Sequence, residues 1–389
     1  MQPVIIIGAG LAGWTTAREL RKLDATSPVL LITADSGDFY AKPSLSNAFA
    51  QGRSPAQLVN TPAAKMVETQ NVTLLAHTRV QSIDPARRVV TTSRGEFAYR
   101  DLVLATGAQA IRVPLAGDAA GSVLSVNSLQ DFSVFHARLA GTASSQNHSK
   151  HIVIMGAGLI GCEFANDLVG AGYQVSVVDP AERPLAALLP AQAGEQLRTA
   201  LAGLGVTWHF GSTVRAVDHH TDQSGPALQV SLSNGAKVHA DIVLSAIGLR
   251  ADTALAQAAG LACERGIVVD TALQTSAPHI YALGDGAQYA SAGGRTLPFV
   301  MPLMSAARAL AATLAGQRTE LAFPLMPVTI KTPALPIVIA APAPSVAGQW
   351  ASGEPGLWQF RGADERQHGF VLAGKHTARR GEQSKLVQA

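Results

Sequence analysis

Paired cysteines are missing from this chain. Among 389 residues only Cys162 and Cys263 occur, and no CxxC or CxxxxC pair is available for a redox disulfide or a thiolate metal site. Both are therefore expected in the core. Long apolar runs are missing too. None reaches the roughly 18 residues that a membrane helix needs, and the most apolar late stretch, residues 334–348, is interrupted by Pro336, Pro342 and Pro344. Met1-Gln2-Pro3 leads directly into Val4-Ile5-Ile6-Ile7 with no basic leader, so a soluble, cytoplasmic protein is the expectation. An excess of one charge is also lacking, the formal net charge being +3. Within the last fifteen residues Lys375, Arg379, Arg380 and Lys385 outweigh Glu382 and supply that excess. The balanced body has no basic stripe to neutralise many phosphates, which excludes nucleic acid as a partner. The basic tail either guides a small acidic partner or is simply a solvated end. The eleven histidines show no HxxxH or HExxH spacing, and His219-His220 reads as a polar loop. No GxSxG elbow announces a serine nucleophile.

What is present is apolar and rich in glycine: 47% hydrophobic residues and 36 Gly, a composition of packed α/β layers. The length calls for two or three compact units. An internal repeat organises them. Val4 to Ile7 is followed by GAGLAG from Gly8 to Gly13, and Ile152 to Met155 by GAGLIG from Gly156 to Gly161. After the first copy come a helical stretch, Trp14 to Lys22, and an apolar strand, Val29 to Ile32. After the second come Cys162 to Val169 and the strand Gln174 to Val178. Each half then has a hairpin, one turning at Ser93-Arg94-Gly95 and one at Asn234-Gly235, a dipeptide suited to a type I′ turn. Closing strands follow, Leu102 to Leu104 into Ala105-Thr106-Gly107 and Ile242 to Leu244 into Ala246-Ile247-Gly248. A later strand, Ile280 to Leu283, ends at Gly284-Asp285, and an apolar helix follows Pro302, a residue at home in a first helical turn. This late segment lacks a glycine loop of its own, so it is read as returning to complete the first domain.

In a GxGxxG loop the first glycine permits the turn, the second lets a pyrophosphate approach the backbone, and the third lets helix and strand pack closely. Gly8, Gly10 and Gly13, with Leu11 and Ala12, form one such loop. Gly156, Gly158 and Gly161, with Leu159 and Ile160, form the other. Each opens a helix whose free N–H groups favour an anionic dinucleotide. Asp179, eighteen residues after Gly161, stands where a carboxylate receives the adenosine ribose 2′-OH and repels a 2′-phosphate, which points to NADH. Arg183 nearby keeps NADPH open, since a guanidinium binds a 2′-phosphate. In the first unit the strand runs Ile32-Thr33-Ala34-Asp35, with the acid slightly displaced. Two nicotinamides would have no way to release single electrons, whereas a flavin takes a hydride and gives electrons singly, so one loop is assigned FAD.

Two glycine loops, an Ala-Thr-Gly closing strand and a late Gly-Asp together resemble the FAD/NAD-dependent pyridine nucleotide-disulfide oxidoreductase-like family. Within it the runs Ile32 to Asp35, Tyr40-Ala41-Lys42-Pro43, Gly161-Cys162-Glu163-Phe164-Ala165-Asn166-Asp167-Leu168, Val300-Met301-Pro302-Leu303-Met304 and Met326-Pro327-Val328-Thr329-Ile330-Lys331-Thr332-Pro333 resemble the rubredoxin reductases. The resemblance covers nearly the whole chain and weakens from about Gly362. It implies Asp285 at the FAD ribityl-pyrophosphate, with Thr33, Ala34, Pro43, Val80, Ala105, Thr106, Gly107, Val300 and Met301 completing the FAD site. Gly248 joins the NAD site. Lys42 would lie beside the flavin, Glu163 would be its partner across the nicotinamide site, and Lys331 would approach from the C-terminal unit; Lys42 and Glu163 are the catalytic candidates. The helix at Pro302 would point its positive end at the flavin. Relatives that act through cysteine have either a pair or a single N-terminal cysteine, and no cysteine precedes Cys162, so direct transfer from flavin to acceptor is implied. No metal site is expected.

The resulting expectation is an α/β chain with two Rossmann-like dinucleotide domains, the NAD domain inserted into the FAD domain, and a small C-terminal α+β domain. The boundaries are 1–112 and 246–323 for FAD, 113–245 for NAD and 324–389 for the last domain. The resemblance implies hydride transfer from NADH to FAD, then single electrons to rubredoxin, a small acidic iron protein, with supply of an alkane hydroxylase as a further role. A reductase of a ferredoxin or flavorubredoxin is the near rival. An NADH-sensing flavoprotein that signals through a partner is the distant one. A monomer is preferred, with the oligomeric state left open.

Overall fold

Val4, Ile5, Ile6 and Ile7 are all buried, and so are the four residues of Val29–Ile32. Strands apolar on both faces belong in the middle of a parallel sheet covered on both sides. The computed structural model, which describes residues 1–141, 149–220 and 227–387, places them there. Its chain forms two compact units, each assembled from three stretches: Met1–Lys42, Val59–Gln109 and Leu249–Met326 in the first, and Pro43–Leu58, Ala110–Gly248 and Pro327–Ala389 in the second.

In the first unit the parallel sheet runs in the order Ile280–Ala282, Asp101–Leu104, Val4–Ile7, Val29–Ile32, Thr73–Leu75. The late strand thus extends the sheet of the first glycine loop. Helix Leu11–Leu23 buries Ala12, Trp14, Ala17 and Leu20 and, with them, Gly13, Thr15, Thr16 and Glu19, as a helix covered on most sides does. It stops where Asp24 turns extended and its carboxylate accepts the N–H groups of Thr26 and Ser27 at 3.0 and 2.9 Å. Those bonds, with the Ser27 side chain foremost, hold the Asp24 carboxyl far below its ordinary value. Helix Val300–Leu314 packs beside it through small residues, Ala306, Ala307 and Ala311, all fully buried. Pro302 is its third residue, where no N–H is needed. An antiparallel meander, Val80–Asp84, Val89–Thr92 and Gly95–Ala98, turns at Ser93-Arg94.

The second unit repeats the plan in the order Val206–Phe210, Gln174–Asp179, His151–Met155, Ile242–Ser245, all parallel. Helix Leu159–Gly170 covers one face, and the meander Val214–His219, Leu228–Leu232, Lys237–Ala240 covers the other against Val153, Met155 and Val243. His219 therefore ends a strand rather than lying in a loop. The Asn234-Gly235 turn is not type I′, which requires positive φ at both residues. Only Gly235 has it, at +85°, while the Asn234 carboxamide accepts the Ala236 N–H at 3.0 Å; this side-chain bond sets the turn instead.

Two stretches join this unit through distant contacts. The C-terminal antiparallel sheet, ordered Val328–Ile330, Ile337–Ala340, Gln367–Ala373, Leu357–Gly362, Gly348–Glu354, gives Ile330, Ile337, Ile339, Trp358 and Val371 to the same core as Phe164 and Leu168. The segment Pro43–Leu58 is held by Phe49, whose ring meets Phe132 at 5.1 Å, Phe135 at 5.3 Å and Tyr173 at 6.3 Å. Asp167, 3% exposed, accepts the N–H groups of Phe49 and Ala50 at 2.9 and 3.0 Å. Burial pushes the Asp167 carboxyl up, opposed by these same amides.

Removing that carboxylate strands two buried donors. We expect Asp167→Ala to cost about 2–4 kcal/mol in urea unfolding, and Asp167→Asn, which keeps one acceptor, about half as much. An unmoved unfolding midpoint in Asp167→Ala would contradict the clamp.

Candidate dinucleotide sites

The two glycine loops are built on the same backbone contacts. Gly8 has φ +109°, and a Cβ there would lie 2.3 Å from the Ala105 carbonyl oxygen; at Gly13 it would lie 1.9 Å from the Gly8 oxygen. In the second loop Gly156 has φ +103° with the Ala246 oxygen at 2.7 Å, and a Cβ on Gly161 would meet the Gly156 oxygen at 2.0 Å. These four positions have room for hydrogen only. Gly10 and Gly158 differ: their φ of −77° and −74° suits any residue, and a Cβ would meet nothing within 4 Å. They open each helix onto free space. Neither helix has a side-chain cap or an acid in its first turn, so the N–H groups of Leu11, Ala12, Gly13 and of Leu159, Ile160, Gly161 are arranged for an anion from outside. Both cradles fit a dinucleotide pyrophosphate.

Beside the first loop the late Gly-Asp comes to the same place. A Cβ on Gly284 would lie 3.1 Å from the Ala12 side chain, and one on Gly286 3.0 Å from the Gly107 oxygen and 3.2 Å from Thr106 Oγ1. Ala12, Thr106, Gly107 and Asp285 are thus gathered at one end of the sheet. Burial raises the Asp285 carboxyl, and Lys42 pulls it back down. Thr33 is buried and donates its hydroxyl to Asp35 at 2.6 Å, while Ala34 is exposed. Val80, first in its strand, packs on the edge of the core. Val300 and Met301, 40% and 52% exposed, stand at the open start of their helix.

At the second loop the half-buried Asp179 closes the turn. Its carboxylate accepts the N–H of Ala157 at 2.6 Å and of Ala181 at 2.8 Å. Arg183 lies against Gly194, with its Nε buried and without a hydrogen-bond partner. Gly248, at φ +116°, accepts the Ile111 N–H at 3.0 Å.

Glu163 is 1% exposed on the helix that this loop opens. One oxygen accepts the Ser46 hydroxyl at 2.6 Å and pairs with Lys331 Nζ at 2.9 Å; the other accepts the Lys331 N–H at 3.0 Å. Lys331 Nζ also donates to the Pro43 carbonyl. Pro43 and Lys331, expected at the flavin, therefore belong to the second unit, whereas Lys42 belongs to the first. A buried carboxylate held by three donors is an anchored ion pair. Ser46 was missed by sequence reasoning; the one available signal was a lone lysine closing the apolar run Val328 to Ile330. Cys162 is a free thiol pushed up chiefly by burial, and it donates to the Ala157 carbonyl at 3.3 Å as part of the loop scaffold. Among the tail cations, Arg379 is paired with Glu354 and with Glu382, the latter at 2.7 Å. No helix among the described residues is long and apolar enough to cross a membrane.

Two phosphate cradles, each at the carboxyl end of its own parallel sheet, define a protein built to hold two dinucleotides. Comparison with known proteins narrows the class. Residues 2–311 match the family model described as pyridine nucleotide-disulphide oxidoreductase, and residues 320–386 match the rubredoxin binding C-terminal domain. The chain is 45% identical over 378 residues to a rubredoxin-NAD(+) reductase of Alcanivorax borkumensis, covering 96% of both. It is 43% identical to a nitric oxide reductase FlRd-NAD(+) reductase of Aeromonas salmonicida, over 96% of this chain and 89% of that one. A solved ferredoxin reductase of Rhodopseudomonas palustris shares its fold at a TM-score of 0.86 and 28% identity, over 98% of this chain and 94% of that one. The chain belongs to the pyridine nucleotide-disulphide oxidoreductase family. It is an oxidoreductase whose cofactors are FAD and NADH.

The contrast within each loop is testable. Gly158→Ala should leave the thermal midpoint in place and weaken NAD+ binding about tenfold or more, since its methyl group occupies the ligand's approach. Gly161→Ala should instead destabilise the fold by about 1–3 kcal/mol through backbone overlap. Calorimetry with NAD+ and thermal melting of both variants separate the two effects, and equal behaviour would contradict the assignment.

Proposed function

We propose that this chain is an NADH-dependent, FAD-containing reductase of rubredoxin. The observation that carries the reading is the joint presence of two dinucleotide loops and a C-terminal segment, residues 320–386, matching a rubredoxin-binding domain. FAD is assigned to residues 1–112 and 246–323, NADH to 113–245, and docking of the acceptor to 324–389. When bound, FAD takes a hydride from NADH and returns the electrons one at a time.

The chain's own residues do the rest. Gly8, Gly10 and Gly13 with the first helix start hold the FAD pyrophosphate, and Asp285 with Thr106 and Gly107 holds the adjoining ribityl portion. Val300 and Met301 present a helix N-terminus, which favours negative charge on the flavin. Lys42 adds a cation there. Gly156, Gly158 and Gly161 hold the NADH pyrophosphate, and the Asp179 carboxylate selects a 2′-hydroxyl over a 2′-phosphate by charge. Glu163, with its ion pair to Lys331 and its bond to Ser46, fixes the wall of the nicotinamide end as a positioning residue. The thiols take no part.

A flavorubredoxin is the second acceptor considered, because a relative at 43% identity has the name FlRd-NAD(+) reductase. The cytoplasm, where NADH is produced, is the proposed place of action. Supply of an alkane hydroxylase through rubredoxin belongs to the same proposal.

Acceptor comparison at fixed NADH is the decisive test. Rubredoxin should be reduced about tenfold faster or more than ferredoxin or oxygen. A persistently reduced flavin in the presence of rubredoxin would instead favour an NADH sensor and sink the reading. For the nucleotide end, Asp179→Asn keeps a hydrogen-bonding side chain but removes the charge. The ratio of kcat/KM for NADH over NADPH should fall roughly tenfold, and an unaltered ratio would refute the ribose assignment.

A further inference from the structure

We propose that Tyr289 is a positioning residue of the flavin site, whose hydroxyl locks the Gly284 backbone, packed against Ala12 at the start of helix Leu11–Leu23, and thereby sets the position of the neighbouring Asp285. The proposal rests on the reading of Asp285 as a flavin-side residue. Tyr289 ends the short strand Ala287–Tyr289, which pairs in parallel with Ile267–Val269. Its side chain is fully buried, and its ring meets Phe323 edge-on at 5.2 Å. The hydroxyl accepts the Gly284 N–H at 2.7 Å and donates to the Gly284 carbonyl oxygen at 3.2 Å. A single phenol thus bridges the two peptide groups on either side of one α-carbon.

That α-carbon needs holding. Gly284 is at φ +80°, in the left-handed region that glycine enters without penalty but also leaves freely. The turn it begins is enclosed on three sides: by Ala12 at the first helix start, by Leu303 near the start of helix Val300–Leu314, and by Thr106 and Gly107 under Gly286. A shift at Gly284 would therefore displace Asp285 from the place where the FAD-side segments meet. Burial pushes the Tyr289 phenol upward, so the hydroxyl keeps its proton and can donate and accept at once. Phenylalanine would fill the same volume and keep the Phe323 contact while leaving the Gly284 N–H without this partner, so the function assigned to Tyr289 resides in one oxygen atom.

The test is FAD affinity rather than turnover. Apoprotein of Tyr289→Phe, titrated with FAD and followed by flavin fluorescence, should bind about five- to thirtyfold more weakly than the parent, the loss that one or two hydrogen bonds cause. Phe323→Leu loosens the ring packing without touching the hydroxyl, and should stay within about twofold. If Tyr289 acts through Asp285, its effect shrinks in an Asp285→Asn background. Unchanged affinity in Tyr289→Phe, an equal loss in Phe323→Leu, or full additivity with Asp285→Asn each overturns the proposal. Asp285→Asn alone leaving FAD affinity unaltered would overturn the reading of Asp285 itself, and Tyr289's role with it.

Discussion

Backbone pressed on backbone is the constraint on which both nucleotide folds depend. At Gly13 and at Gly161 a carbonyl oxygen occupies the space where any other residue would have its first side-chain atom. That contact seats each helix directly on its central strand, and the seating aims the helix N-terminus at the point where a pyrophosphate arrives. Helix position and binding site are therefore one geometric fact. The third and first glycines serve the fold, the middle one serves the ligand, and the two demands meet within six residues.

In the second unit a further constraint is laid over the first. Helix Leu159–Gly170 carries three buried polar side chains, and each binds a stretch of chain far away in sequence. Glu163 takes Ser46 and Lys331, Asn166 accepts the Ala334 N–H at 3.0 Å, and Asp167 takes Phe49 and Ala50. Buried polar groups are tolerated when fully satisfied and then fix one arrangement out of many. The helix that begins at a phosphate cradle is thus also the post to which the C-terminal sheet and the segment Pro43–Leu58 are tied. Apolar contact through Phe49 and Ile330 would hold these pieces near; the carboxylates determine where.

Much of the fold was legible from residue types alone, because glycine spacing, apolar runs and a strand-end acid report local geometry. Gly8 to Gly13 and Gly156 to Gly161 lie in loops that open helices, and the strand Ile280–Ala282 does extend the first sheet. Less legible was everything decided at long range. Nothing in Pro43–Leu58 announces that Phe49 will find a ring cluster contributed by residues 132 to 173, and an apolar C-terminal strand looks the same whether it closes its own core or shares another. The Asn-Gly turn failed for a related reason: the Asn234 side chain bonds its own backbone, and that option competes with the turn type that the dipeptide favours. Ser46 was hard to find because a serine in a short 3-10 helix, Lys42–Asn47, has no pattern until its partner is known.

The interleaving of the chain sets an order on its making. The sheet begun at Val4 still lacks its strand Ile280–Ala282 and its covering helix Val300–Leu314 after the whole parallel sheet of the second unit has left the ribosome. The parallel sheet of the earlier cradle is consequently completed after that of the later one. An unfinished edge at Asp101–Leu104 waits through some 175 residues of synthesis for its neighbour, a distance over which newly made chains rely on prompt partners to avoid wrong pairings.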